Sequence, residues 1–172
     1  ENQCGPALSE SIQNEKGELV ARRVIRPQKI IDEQAIAIAA GTAHSLVLMA
    51  DGRVLAFGDN QHGQLGDGST TGRSEPRVVE GIGQASQIAA GSDHSLILTA
   101  DKTASGGQQT LYAFGDNSLG QIGVGSTFTP GAMIPTPTAV DWLKAAGKGS
   151  YRIESIVAGY GNSLAVLTRE GQ

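Results

Sequence analysis

Cysteine, aromatic residues and charged residues are all scarce in this sequence. The chain of 172 residues has one cysteine, Cys4, so it forms no internal disulfide. Aromatic residues make up 4% and charged residues 17% of the chain, whereas about 25% charged residues is typical. The core is therefore expected to consist mainly of aliphatic side chains and alanine.

Basic runs and long apolar runs are also missing. The densest basic spot is Arg22-Arg23 and the net charge is −4, which disfavours binding to nucleic-acid phosphates. No apolar stretch approaches the roughly 18 residues of a membrane-spanning helix, so no membrane span is expected. A single thiol does not fix the compartment. A bacterial extracellular or cell-surface location is favoured, and the cytoplasm is left open.

Two blocks of sequence recur in order along the chain. Residues 38–51 match residues 88–101 at ten of 14 positions, at an offset of 50. Residues 54–70 match residues 111–127 at 11 of 17 positions, at an offset of 57. A third copy of the first block begins at Ile156. Self-similarity at a fixed period indicates a repeat architecture.

Each repeat predicts about four short strands and no long helix. Apolar runs at 35–40 and 44–50 precede the hairpin signal Asp51-Gly52. A further strand is predicted at 53–57, and the run opened by proline at 76–79 suits a sheet edge. The runs are apolar on both faces, so each sheet needs cover on both sides. Blades of a β-propeller supply that cover, and we predict an all-β propeller segment of about three four-stranded blades.

The boundaries of the repeats follow from the same alignment. We expect the tail of a preceding degenerate repeat at 1–34, a repeat at 35–85, a repeat at 86–152 with insertions at 103–110 and 141–150, and the start of a further repeat at 153–172.

The recurring pattern resembles the regulator of chromosome condensation repeat. It reads A-G-x-x-H-S-L-x-L, then D-G-x-V, then F-G-D-N-x-x-G-Q-L-G, and it covers roughly residues 27–171. Departures are Phe57 and Phe114, where the family often has tryptophan, and Asn162 in place of the histidine. The resemblance implies a seven-bladed ring of which this chain is a part. Further blades, in the same chain or another copy, are then expected to cover its open faces.

The repeated glycine, histidine and asparagine residues are expected to be structural. His44 and His94 are predicted to be buried and to bond backbone groups between blades. Asn60 is predicted to cap a turn in which Gly63 and Gly66 take positive φ. The full set is Gly41, His44, Gly58, Asn60, Gly63, Gly66, Gly91, His94, Gly115, Asn117, Gly120 and Gly123.

Some of these residues imitate catalytic motifs. His44-Ser45 and Asp93-His94-Ser95 resemble parts of a hydrolase triad, but they recur with the repeat, whereas an active site occurs once. Adjacent residues of a strand also point to opposite faces. No spacing of histidine and cysteine fits a zinc site. We therefore expect no catalytic residue, no cofactor and no metal.

The places where the repeats differ are the candidate binding surface. Insertions in repeat proteins often fall on the binding face. Variation in loop length without any function is an equally weighted alternative explanation for these insertions. The residues singled out are Ser105, Gly106, Gly107, Gln108, Gln109, Trp142 and Lys144.

The function expected from these observations is a noncatalytic scaffold that binds a protein partner of unknown identity. The family resemblance implies a first alternative, guanine-nucleotide exchange on a small GTPase. A second alternative is an accessory or inhibitory propeller segment that is attached to, or acts on, an enzyme. Fold alone does not separate the three.

Overall fold

Twelve β-strands make up the regular structure of the described residues. The computed structural model describes residues 9–13, 19–24, 30–100, 109–124, 132–140 and 151–169. The strands are β1 (Ser9–Gln13), β2 (Leu19–Val24), β3 (Ala35–Ala40), β4 (His44–Met49), β5 (Val54–Gly58), β6 (Arg73–Val78), β7 (Ala85–Ala90), β8 (His94–Ala100), β9 (Gln109–Asp116), β10 (Met133–Ala139), β11 (Tyr151–Ala158) and β12 (Ser163–Arg169). The predicted all-β class is confirmed.

The two complete repeats form two four-stranded antiparallel sheets. Blade 1 has the order β3-β4-β5-β6 and blade 2 the order β7-β8-β9-β10, so each sheet follows the chain from one edge to the other. β11 and β12 form a two-stranded sheet, called blade 3, and β1 and β2 form another. The meander order and the stacking of successive sheets are those of a β-propeller.

Turn and proline chemistry explain where the strands of blade 1 begin and end. Gly52 has φ +88°, and its N–H donates to the Met49 carbonyl at 3.0 Å, which closes the hairpin between β4 and β5. Pro76 lies in β6, at the edge of the sheet, where a missing backbone N–H is tolerated. In blade 2 the edge strand β10 likewise contains Pro135 and Pro137.

Both faces of β4 are apolar because neighbouring elements cover both. Leu46 and Leu48 pack with Phe114 of blade 2, whereas Val47 and Met49 pack on the residues that precede β3. All four side chains of this run are at most 5% exposed. This explains a continuous apolar run where a half-buried strand would alternate.

Blade 2 packs in the same way on blade 3. Leu96 and Leu98 contact Ile153 and Ile156 in one buried cluster, and β7 lies against both β3 and β11. On the outer faces of blades 1 and 3, several apolar side chains are exposed. They are Ile36, Ile38, Val157, Leu164 and Val166.

Candidate functional site at the blade junctions

A buried hydrogen-bond relay joins blade 1 to blade 2. His44 Nε2 lies 3.0 Å from Ser95 Oγ, and Ser95 Oγ donates to the Gln64 carbonyl at 2.8 Å. The three residues are at most 1% exposed. His44 begins β4 and Gln64 lies in the turn after β5, whereas Ser95 lies in β8. The serine of one blade is therefore held between two groups of the preceding blade.

The same relay recurs at the junction of blades 2 and 3. His94 Nε2 lies 3.0 Å from Ser163 Oγ, which donates to the Gln121 carbonyl at 2.7 Å. His94 is 0% exposed and Gln121 is 5% exposed. Recurrence at both junctions indicates a structural role, since each blade docks on the next through the same three groups.

The direction of these hydrogen bonds decides their chemistry. Because the Ser95 hydroxyl proton goes to a carbonyl, its oxygen accepts from His44, which assigns the Nε2–H tautomer to that ring. Nδ1 of His44 is buried without a hydrogen-bond partner among the described residues. Burial lowers the pKa of His44 to about 4, although nearby Asp93 and Asp59 oppose the shift. The neutral ring donates to the serine, whereas a catalytic base must accept the serine proton.

The partner of the histidine differs from the expectation. Direct hydrogen bonds from His44 and His94 to backbone groups were expected. Instead, each ring bonds a serine hydroxyl, and that hydroxyl donates its own proton to a backbone carbonyl. A hydroxyl can accept one bond and donate another. It therefore links the side chain of one strand to a turn that the ring itself does not reach.

The turn after β5 is built on two buried amide side chains. Asn60 is 0% exposed; its Oδ1 accepts from the Leu65 N–H at 2.9 Å and its Nδ2 donates to the Ser69 carbonyl at 3.0 Å. Gln64 Nε2 donates to Asp59 at 3.0 Å. The amides satisfy the groups of a compact turn, whose geometry leaves no helix N-terminus for a phosphate.

Two glycines of the repeat are required by close contacts between blades. Gly66 has φ +70°, and a Cβ there would lie 2.7 Å from Cε2 of Phe114 in blade 2. A Cβ on Gly41 would lie 2.4 Å from the Gly91 carbonyl oxygen and 2.3 Å from Cε1 of His44. The other repeat glycines with positive φ are Gly58, Gly63, Gly115, Gly120 and Gly123. Asn117 of blade 2 accepts from the Ile122 N–H at 3.1 Å, as Asn60 does from Leu65.

Replacing Ser95 with alanine is expected to lower the free energy of unfolding by about 1–3 kcal/mol, because the buried His44 N–H and Gln64 carbonyl each lose a partner. Urea denaturation at pH 7.5 and at one protein concentration measures this. The matched control is Ser45→Ala, at the same repeat position in blade 1, where the side chain is half-buried. An equal loss in both variants would contradict a role for the relay at the junction.

Carboxylates of the turns are bonded internally. Asp67 pairs with Arg73 and accepts from Ser69 Oγ at 2.8 Å. Burial opposes ionisation of Asp67, but the bonds from Ser69 and Arg73 outweigh it and lower its pKa to about 2. Burial likewise opposes ionisation of Asp116, and the bonds from Ser118 outweigh it and lower its pKa. Both groups are therefore ionised turn anchors at neutral pH.

The described ranges contain neither a candidate metal centre nor a membrane-spanning helix. No group of three or more His, Cys, Asp and Glu side chains there could hold a metal ion. In the same residues, no helix has the length and apolar character needed to cross a bilayer.

The structure describes only part of the predicted binding surface. Ser105, Gly106, Gly107, Gln108, Trp142 and Lys144 lie outside the described residues. Gln109, the last residue but one of the predicted insertion at 103–110, is the first residue of β9. Its Nε2 donates to the Ile153 carbonyl at 3.0 Å, and its Oε1 accepts from the Ile153 N–H. Gln109 therefore clamps the base of the first insertion to blade 3.

Sequence reasoning missed the serines and glutamines of the relays. Ser95 and Gln64 belong to the recurring blocks, and so do Ser163 and Gln121 in the next copy of each relay. That recurrence was the available signal. It marks these residues as equivalent but does not say which blade's histidine each serine contacts.

The matches to known family models fall within the repeated region of the chain. A family model described as the regulator of chromosome condensation (RCC1) repeat matches residues 51–98. A second model of the same description matches residues 35–64 and 85–121. The matches together run from residue 35 to residue 121, which is half of the chain.

The proteins to which this chain is similar are much longer than the chain itself. Protein RCC2 homolog of Danio rerio is 37% identical over 97 residues, which cover 55% of this chain and 19% of that protein. The structure of Prp20p from Saccharomyces cerevisiae has a TM-score of 0.68 at 20% identity and covers 91% of this chain and 36% of its own. Human WBSCR16 has a TM-score of 0.67 at 24% identity, with coverage of 95% and 37%. At these identities the two structures show the fold alone, and the chain spans about a fifth of the curated relative's length.

Proposed function

The chain belongs to the regulator of chromosome condensation (RCC1) repeat family, and from this premise we propose that it is a noncatalytic propeller scaffold that binds a protein partner. The binding surface is the end of blades 2 and 3 at which the insertions at 103–110 and 141–150 join the sheets. Prp20p, a structural relative, is reported with its binding to Gsp1p and histones, which supports protein binding as a use of this fold.

The observation that carries the proposal is the clamp between Gln109 and Ile153. β8 ends at Ala100, which pairs with Gln109, so the first insertion leaves and re-enters blade 2 at this end. Gln109 bonds both backbone groups of Ile153, two residues after the second insertion re-enters at Tyr151. The Val140 N–H donates to the Leu111 carbonyl at 2.8 Å, which places the end of β10 beside the start of β9. Both insertions are therefore anchored at one end of one junction.

The composition of the two insertions suits protein recognition. The first offers small and polar residues from Ser105 to Gln108, and the second carries Trp142, the chain's one tryptophan, with Lys144 close by in sequence. Tryptophan is enriched among the residues that dominate binding energies at protein interfaces. Loops held on a rigid scaffold commonly carry binding residues.

Shortening the first insertion and truncating the tryptophan are expected to weaken partner capture. One variant joins Asp101 to Gln109 through a single glycine, as in the Asp51-Gly52 turn of blade 1, and the other is Trp142→Ala. Quantitative affinity capture from the source organism's extract should identify a protein whose recovery falls by about tenfold or more in both variants, the effect of losing a binding hot spot.

The matched control is Gln61→Ala, which changes an exposed residue at the opposite end of blade 1 and should leave that recovery unchanged. Folding of each variant is checked by circular dichroism. Capture that survives both insertion variants would show that the partner does not bind at this end. Guanine-nucleotide exchange and attachment to an enzyme stay as alternatives, and no described residue favours either over binding alone.

A further inference from the structure

Blade 3 is bonded to blade 2 through a side chain at a place where the preceding junction uses the backbone. At the junction of blades 1 and 2, the Ala85 N–H donates to the Gly52 carbonyl at 2.8 Å. Gly52 belongs to the short turn between β4 and β5. Ile153 holds the position of Ala85 in the next repeat, because each directly precedes the register shift of its strand. The Ile153 N–H donates instead to Oε1 of Gln109, at 2.6 Å.

The side-chain amide of Gln109 is chemically equivalent to the peptide group that it replaces. It carries the same kinds of donor and acceptor as a backbone peptide. Its Oε1 takes the role of the Gly52 carbonyl, and its Nε2 adds a hydrogen bond to the Ile153 carbonyl at 3.0 Å. Ile153 is 2% exposed, so its N–H would be costly to leave unpaired. Lengthening this hairpin therefore removed the short turn but kept its bond to the next blade.

The strands that Gln109 joins are both extended toward the insertions. β9 begins two residues earlier in its repeat than β5, and β11 begins two residues earlier in its repeat than β7. Gln109 is the first residue of β9, and Ile153 is the third residue of β11. The returning ends of the two insertions are thus fastened to each other by one side chain. The shorter repeat of blade 1 needs no such side chain, because its turn makes the bond directly.

A second glutamine provides a comparison on the same strand. Gln87 of β7 donates through Nε2 to the Glu154 carbonyl at 2.7 Å and accepts through Oε1 from the Ile156 N–H at 3.2 Å. Gln87 and Gln109 therefore make the same two kinds of bond to the backbone of β11. Only Gln109 belongs to a strand end that an insertion joins.

We propose that Gln109 is the positioning residue of the binding surface: its amide stands in for the short turn, so that the hairpin carries a recognition loop while its base stays fixed to the base of the second insertion. The inference rests on the proposed function, since it assigns to Gln109 the spacing of the two insertions that one partner contacts. Without the clamp, the two strand ends move separately. Ordering them again when the partner binds then costs affinity.

Residue-resolved amide hydrogen exchange tests the clamp without any partner. In Gln109→Ala, the Ile153 amide should exchange about tenfold or more faster, because its hydrogen bond is lost, whereas the Ile156 amide should be unchanged. Gln87→Ala should give the reverse pattern. Circular dichroism checks that both variants fold. Unchanged exchange of Ile153 in Gln109→Ala would overturn the inference.

A short-turn variant tests whether the amide replaces a backbone carbonyl. Residues 102–109 are exchanged for a single glycine, so that Asp101-Gly-Thr110 has the length of the turn at 51–53 in blade 1. The new glycine carbonyl should accept the Ile153 N–H as Gly52 accepts Ala85. The Ile153 amide should therefore stay as protected as in the parent, although Gln109 is gone. Exchange as fast as in Gln109→Ala would contradict the replacement.

The positioning role is tested on the protein whose recovery falls in Trp142→Ala. Its recovery should fall by about threefold or more in Gln109→Ala, since the released strand ends must be ordered on binding, and should be unchanged in Gln87→Ala. Equal recovery in these two variants would overturn the inference and leave the proposed function standing. Capture that survives both Trp142→Ala and the shortened insertion would overturn the two together.

Discussion

Replacing Phe114 with alanine is expected to lower the free energy of unfolding by about 3–5 kcal/mol, the range for large-to-small changes of a fully buried phenylalanine. The ring belongs to blade 2 but packs against Leu46, Leu65 and Gly66 of blade 1. Its removal leaves a cavity at the junction, which the backbone turn around Gly66 cannot refill. Urea denaturation monitored by circular dichroism, at one protein concentration, measures the loss.

Phe57→Ala is the matched control, because it deletes the same atoms at the same repeat position. Phe57 is 5% exposed and packs with Val47 and Met49 of its own blade, beside the exposed outer face. We expect a smaller loss, about 1–3 kcal/mol, since that side can relax more freely. If the two variants lose equal stability, packing between blades contributes no more than packing within a blade.

Much of this architecture was predictable, because the repeat fixes equivalences between residues. The run from Leu46 to Met49 is apolar at every position. This pattern excluded a sheet with one solvent-exposed face and required packed elements on both sides of the strand. The structure buries all four side chains between two layers. The Asp51-Gly52 turn and the proline of the edge strand were readable for similar reasons, since each depends on local backbone chemistry.

The contacts between blades were not predictable in the same way. Side-chain alternation excluded a bond between His44 and Ser45, but it could not show that His44 meets Ser95, one blade further on. That pairing depends on how neighbouring sheets stack, which periodicity does not encode. The end of the first insertion shows the same limit. Gln109 aligns with no residue of the shorter repeat, yet it pairs with Ala100 as the first residue of β9, and its side chain bonds Ile153.

Acidification from pH 7.5 to pH 5 is expected to lower the free energy of unfolding by about 2 kcal/mol through His44 alone. Burial lowers the pKa of His44 from 6.5 to about 4, so below pH 6.5 the unfolded chain binds a proton that the folded chain does not. Stability is therefore full above pH 6.5 and is lost as the pH falls toward 4. Burial also lowers the pKa of His94, which adds a loss of the same sign.

Other titrating groups affect the free energy of unfolding in a different pH range from the histidines. The lowered pKa values of Asp67 and Asp116 remove stability only below their usual value of 3.8, outside the interval measured. Asp93 and Asp59 face His44 and oppose its shift, whereas His94 adds to it, so the two histidines are best changed together.

The chain itself supplies the control for this pH dependence. Asn162 stands at the histidine position in blade 3, and its carbonyl accepts the Gly159 N–H at 2.9 Å, as the His44 carbonyl accepts that of Gly41. A variant with His44→Asn and His94→Asn should keep these turns and lose the titrating rings. It is expected to be less stable at pH 7.5, because the serines lose their donors, but its stability should change much less between pH 7.5 and pH 5. The comparison is between the two pH slopes, so the lower starting stability does not obscure it. An unchanged slope would show that the histidines are protonated in the folded chain as readily as in the unfolded one, and that the relays do not hold neutral rings at the junctions.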